Sequence, residues 1–215
     1  MTRVLGVLLL VGMCASTTLG ALQVDSRPAY LNWTADEAKR IGRSMRVNGR
    51  VGGAFDFRVV HTERSYNYKL RSTWLTTRVI QATTRLLQLT ERLTDARATE
   101  LLNEAVAAGD LVMMVEIDPR EGSGVIPIDW SAFLGPAGSE RDVVPGTNTP
   151  SLGKLKALRG VYPRDYNYDS FWIVFPAKRG SGPVFIEAGR PVTLTVRISG
   201  KEGQVQFTAP ETYTR

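Results

Sequence analysis

The chain is almost without cysteine and histidine: among 215 residues, Cys14 is the one cysteine and His61 the one histidine. A lone cysteine excludes an internal disulfide and any site built from several thiolates. A lone histidine excludes a zinc centre of several imidazoles. No Gly-x-Ser-x-Gly stretch occurs, so the exposed serine nucleophile of that strand–turn–helix elbow is missing too. Long hydrophobic runs are also scarce. The apolar run 4–13 has about 10 residues, half of the roughly 20 that cross a bilayer as a helix.

That short run has a different use. Arg3 is the only charge before Asp25, and the small residues Ala15-Ser16-Thr17-Thr18-Leu19-Gly20 follow the apolar stretch. A basic start, a short apolar core and a small-residue exit make a secretory signal peptide. Thr18 and Gly20 fit the positions before a cut, which places cleavage between Gly20 and Ala21. Met13 precedes Cys14, where a lipoprotein signal has Gly, Ala or Ser, so Cys14 reads as part of a discarded leader rather than a lipidation site. The expected mature chain, 21–215, is a single exported domain, periplasmic or extracellular. With no thiol left it must be stabilised by its core alone. Its length suffices, since a chain of this size buries roughly 70% of its unfolded surface.

Charge is in surplus on the basic side, with 27 Lys and Arg against 21 Asp and Glu and a net charge of +6. Such a surplus favours anionic surfaces. Export excludes nucleic acid as the natural partner, and leaves an anionic envelope polymer, a membrane surface or another envelope protein. The sequence points to no cofactor.

Thr34-Ala35-Asp36-Glu37 is a capping box, and predicts a short helix over 34–46. The glycines at 49, 52 and 53 are expected to break regular structure beyond it, and strands are expected at 55–60 and 66–70. Leu75, Val79, Ala82, Leu86, Leu89, Leu93 and Ala96 step by three and four, a heptad seam. Ser72 is the expected cap, Thr94-Asp95 a second helix start, and Gly109 a left-handed terminus. A helical hairpin or a long kinked helix is thus predicted over 72–108.

From 111 to 209 the period becomes that of strands. Strands are expected at 111–117, 124–128, 171–175, 183–187, 192–198 and 204–208, with a turn at 199–203 and a long exposed loop at 135–153. Along 192–198, Thr193, Thr195 and Arg197 alternate with Val192, Leu194, Val196 and Ile198, so one face is wet. The predicted fold class is α+β: mainly an antiparallel β-sandwich, Ig-like in architecture, carrying a helical insertion.

Candidate chemistry is sparse. Asp165, Asn167 and Asp169 place three oxygens at alternate positions, as calcium loops do. Counted from Asp165, however, the sixth position is Ser170 and the twelfth Pro176. An EF-hand-type loop needs glycine and a bidentate glutamate there, and calcium takes about six to eight oxygens. The stretch therefore reads as a strand entry. His61 with Glu63 could serve a hydroxyl nucleophile as base and orienter. Glu116, Asp118 and Glu121, near Asp129-Trp130, could supply a glycosidase carboxylate pair. Arg71, Arg78, Arg85 and Arg92 recur every seven residues and would form one outward stripe on a helix, suited to docking anionic polymer or membrane. No catalytic set is complete. The expectation is a non-catalytic envelope module for binding or support, with the arginine stripe and a hydrolase as alternatives.

Overall fold

Residues 111–115, Leu-Val-Met-Met-Val, lack the polar alternation of a half-exposed strand, and the computed structural model shows why. It describes residues 27–53, 67–119, 129–139, 141–159, 169–178, 180 and 186–211. Strand β3 (Leu111–Pro119) lies in the middle of a five-stranded antiparallel sheet and is covered on both faces. Its neighbours are β2 (Tyr68–Trp74) on one side and β7 (Asp169–Phe175) on the other. Strands β1 (Arg46–Val51) and β6 (Thr147–Asn148) complete this first sheet. The second sheet is four-stranded, in the order β5 (Val144–Pro145), β4 (Ser131–Pro136), β8 (Pro191–Ile198), β9 (Lys201–Thr208).

Leu111, Met113, Val115 and Ile117 point from β3 into one apolar cluster with Leu134, Leu194, Val196, Val205 and Phe207 of the second sheet. Val112 and Met114 point the other way, into a cluster with the helices. A strand with apolar contacts on both sides gains from every side chain being apolar, which is how a continuous run differs from an alternating one. The protein is thus an α+β fold of two antiparallel sheets and a few helices.

Helix α1 (Ala35–Arg43) starts where the capping box predicts, with the Thr34 hydroxyl accepting from the Glu37 amide at 3.2 Å. The long helical stretch differs from expectation. Residues 72–74 belong to β2, where Ser72 and Thr73 lie opposite Val115 and Met114, and pairing on both edges outweighs the local helix signal. The cap is Thr76, whose side chain accepts from the Val79 amide at 3.2 Å, and α2 runs Thr77–Glu91. It ends at Arg92 in a left-handed conformation (φ 53°), and Thr94 caps α3 (Asp95–Val106). The two helices occupy the connection between the neighbouring strands β2 and β3.

The heptad seam is only half real. Leu75 precedes the helix, Val79, Ala82 and Leu86 are buried, but Leu89 is 41% exposed and Ala96 is exposed. A single seam would bury one stripe. Here α2 is covered on two sides, by Ala38 and Ile41 of α1 against Ala82 and Leu86, and by the first sheet and its neighbouring helices against Val79, Ile80 and Leu87. That is why Thr83, Thr84 and Gln88 are buried as well. Among the described residues no helix is long and apolar enough to cross a membrane.

Further differences lie in the loops and glycines. Gly49 sits inside β1 rather than ending structure, because a Cβ there would stand 2.5 Å from Val205. Gly109 has no positive φ; it leaves room for Val174, which a Cβ would approach to 2.7 Å. Residues 135–153 are not one exposed loop. Val144 pairs with Leu134 of the second sheet, and Thr147 with Val174 of the first, so the chain steps between sheets across Gly146. Leu152, in the 3₁₀ turn that follows (Pro150–Lys154), is buried. The turn at 199–203 is tighter than expected, since only Ser199 and Gly200 separate β8 from β9. Both have positive φ, as a two-residue turn between right-twisting strands requires. Ile186 and Glu187 are not in a strand. The strands expected at 55–60, 124–128 and 183–185 lie outside the described residues, as do the leader 1–20 and Cys14.

Candidate functional site

The four arginines do not form a stripe. Arg71 belongs to β2 and is only 9% exposed, with its Nε donating to the Asn48 side chain at 3.2 Å. Arg85 is half-buried on α2; it donates to the Trp33 carbonyl at 2.8 Å and to the Gln88 amide oxygen at 2.6 Å. Gln88 in turn donates to Asp95, which holds Arg27 at 2.8 Å. Asp95 is held below the usual carboxylate range by that hydrogen bond from Arg27, aided by Gln88 and opposed by desolvation. Arg85 is therefore an internal brace between α1's approach, α2 and α3. Arg78 and Arg92 alone are exposed, at opposite ends of α2. The sevenfold spacing assumed one helix, and the chain leaves the helix before it reaches Arg71.

The strand register brings other candidates together. Arg71 stands opposite Glu116, and Lys69 opposite Asp118. Lys69 and Asp118 form an ion pair at 3.5 Å. Glu116 is 5% exposed, and its Oε2 is buried without a hydrogen-bond partner. Asn48 of β1 lies beside Arg71 and Ser170 of β7 beside Glu116. Charged residues therefore share one face of the first sheet, past the end of the helices that cover Met114 and Val112. As a hydrolytic pair, Glu116 and Asp118 are poorly placed. One is buried beyond reach of a polymer, and the other is tied to a lysine. Trp130 packs at 4.7 Å on Phe171, which faces the core beside Val115, so it sits on the other side of the sheet from Glu116.

Asp169 begins β7 opposite Ile117, exposed, on the face away from Glu116. Asp165, Asn167, His61, Glu63 and Glu121 lie outside the described residues. Among the described residues, no three His, Cys, Asp or Glu side chains are grouped to hold a metal.

A groove lies elsewhere, on the outer face of the second sheet. The alternation along β8 puts Val192, Leu194, Val196 and Ile198 in the core and Thr193, Thr195 and Arg197 on the other side. β9 repeats the pattern, with Gly203, Val205 and Phe207 inward and Glu202, Gln204 and Gln206 exposed. Together with Phe133 and Gly135 of β4, and with Ser139 and Val143 as a wall, they line a groove of about 500 Å³. The wet face expected from the alternation holds for Arg197 and in part for Thr193, but Thr195 is only 8% exposed; no site was named on it, because uncharged Thr and Gln carry no motif.

Its charges are internally balanced. Arg197 Nε donates to Glu202 Oε2 at 2.8 Å, and the Gln204 amide donates to the other oxygen at 2.9 Å. The guanidinium carbon of Arg197 also lies 5.0 Å from the Phe133 ring centre, a cation–π contact. The hydrogen bond from Arg197 holds the Glu202 carboxyl below the usual range, with Gln204 adding to it and desolvation opposing. An acid kept ionised in this way is a poor proton donor to a leaving group. A depressed folded-state pKa contributes stability that is present above the unfolded value and lost as pH falls through the folded one. In a carboxyl-detected NMR titration, Glu202 is expected to titrate below the ordinary glutamate value and to return to it in Arg197→Gln. An unchanged midpoint in that variant would show that the ion pair is not the cause.

Comparison with protein families, with curated proteins and with solved structures finds no match to this chain.

Proposed function

We propose that the chain is an exported, non-catalytic binding module of the cell envelope, and that its ligand surface is the outer face of the second sheet. The observation that carries this reading is the groove of about 500 Å³ across β4, β8 and β9. Exposed Gln204 and Gln206 of β9 and half-buried Thr193 of β8 stand there behind the core face of Val192, Leu194, Val196, Val205 and Phe207. Its one carboxylate, Glu202, is committed to Arg197, which favours holding a ligand over turning one over. The leader pattern of residues 1–20 supports export, with a mature start at Ala21.

The two sheets are read as the halves of a β-sandwich, Ig-like in architecture, with α2 and α3 inserted between β2 and β3. The apolar cluster common to both sheets supports this, as does the contact of β1 with β9, where the Gly52 amide donates to the Glu202 carbonyl at 3.2 Å.

The test is co-sedimentation of the mature protein with isolated envelope material. Wild type and the pair Arg78→Gln, Arg92→Gln are expected to sediment alike, and the pair Thr193→Val, Gln206→Ala to stay in solution. The opposite pattern would move the contact to the exposed ends of α2 and overturn the reading.

A further inference from the structure

We infer that Asn48 is a deamidation site, and that the pairing of β1 keeps it closed in the folded protein. Asn48-Gly49 is the one Asn-Gly pair in the chain. Glycine has no side chain to shield its nitrogen or to restrict its backbone, so this is the pair at which that nitrogen most readily attacks the asparagine amide. In that step the Gly49 nitrogen bonds to Asn48 Cγ, the Cγ–Nδ2 bond breaks, and ammonia leaves with the proton of the Gly49 amide. Water then opens the resulting succinimide at either carbonyl, giving aspartate or isoaspartate.

Solvent reaches the site, because Asn48 is exposed. Geometry is what closes it. The ring forms only when the Gly49 nitrogen turns about the Asn48 Cα–C bond to eclipse Cβ. Extended backbone, with ψ near about +135°, holds that nitrogen well away from this position. Pairing keeps the backbone extended, with Asn48 opposite Arg71 and Gly49 opposite Leu70. Arg71 Nε also donates to Asn48 Oδ1 at 3.2 Å and ties the side chain to β2. On the other side β9 crosses so closely that a Cβ on Gly49 would stand 2.5 Å from Val205 Cγ1, which leaves the peptide no room to swing outward.

The two products act differently. Aspartate sets a carboxylate opposite Arg71 and lowers the net charge of +6 by one. Isoaspartate adds a methylene to the main chain, so Val47 opposite Ser72 and Gly49 opposite Leu70 cannot both stay in register.

The experiment incubates the mature chain at mildly alkaline pH, folded and in urea, and follows the peptide that contains Asn48 by mass spectrometry. The amide is expected to convert to acid in urea. The folded chain is expected to convert more slowly by about tenfold or more, as for a reaction that passes through a minor open state. Circular dichroism confirms which sample is folded. Equal rates in the two solutions would overturn the protection by β1. No conversion in urea would overturn the site itself.

Discussion

Gly203→Ala is expected to destabilise the protein by about 3 kcal/mol, the upper part of the usual range for overpacking. The added Cβ would fall on the Arg50 carbonyl oxygen and within 2.8 Å of the Val51 Cα. Backbone atoms of a paired strand cannot rotate aside as a side chain can, so β9 must move away from β1. That movement breaks the hydrogen bond from Gly52 to Glu202 and loosens Val205 and Phe207 from the shared core. Gly49→Ala meets Val205 Cγ1 instead, a side-chain atom that can shift, and should cost less. Urea unfolding of the two variants and wild type measures the difference. A Gly203→Ala protein as stable as wild type would show that the two strands are not held this close.

Arg71→Ala is expected to cost about 3 kcal/mol, and Arg78→Ala less than about 0.5 kcal/mol. The two were equivalent as members of a sevenfold repeat, but their surroundings are opposite. Arg71 is 9% exposed, bonded to Asn48, and set opposite the buried Glu116. Removing it leaves a carboxylate on that face without the cation facing it, which is the costly way to break a buried charge arrangement. Arg78 is exposed at the start of α2. Equal melting temperatures for the two variants would contradict a structural role for Arg71. The double change Arg71→Met, Glu116→Gln is expected to recover much of the loss, because it removes both charges together.

The parts of the fold that were legible in the sequence are those whose causes lie within a few residues. Thr34 and Thr94 cap helices through amides three residues ahead, so the four-residue pattern holds all the physics. The alternation in 192–198 separates a core face from a wet face because successive strand side chains point to opposite sides. The candidate groove was half legible for the same reason. The wet face of β8 could be read, but not that β4 and β9 would set Phe133, Gln204 and Gln206 beside it.

What was illegible depends on partners far along the chain. Ser72 looked like a cap, and it lies in a strand because Val47 and Val115 flank it on either side. Gly49 looked like a breaker, and it is required where β1 meets Val205. Val144 and Thr147 looked like loop, and they bridge two sheets because Leu134 and Val174 offer them edges.

By itself, then, the sequence determined the α+β class, the caps of α1 and α3, the strands 111–117, 171–175, 192–198 and 204–208, and the exclusion of an internal disulfide, of a site of several thiolates and of a centre of several imidazoles. Those follow from side-chain inventory and from periods of two and 3.6 residues. Only the tertiary structure decided which arginines are buried, where β2 gives way to α2, and which wet strand faces join into one groove. Such outcomes are set by pairing between residues dozens of positions apart, whose energy appears only once the sheets have formed.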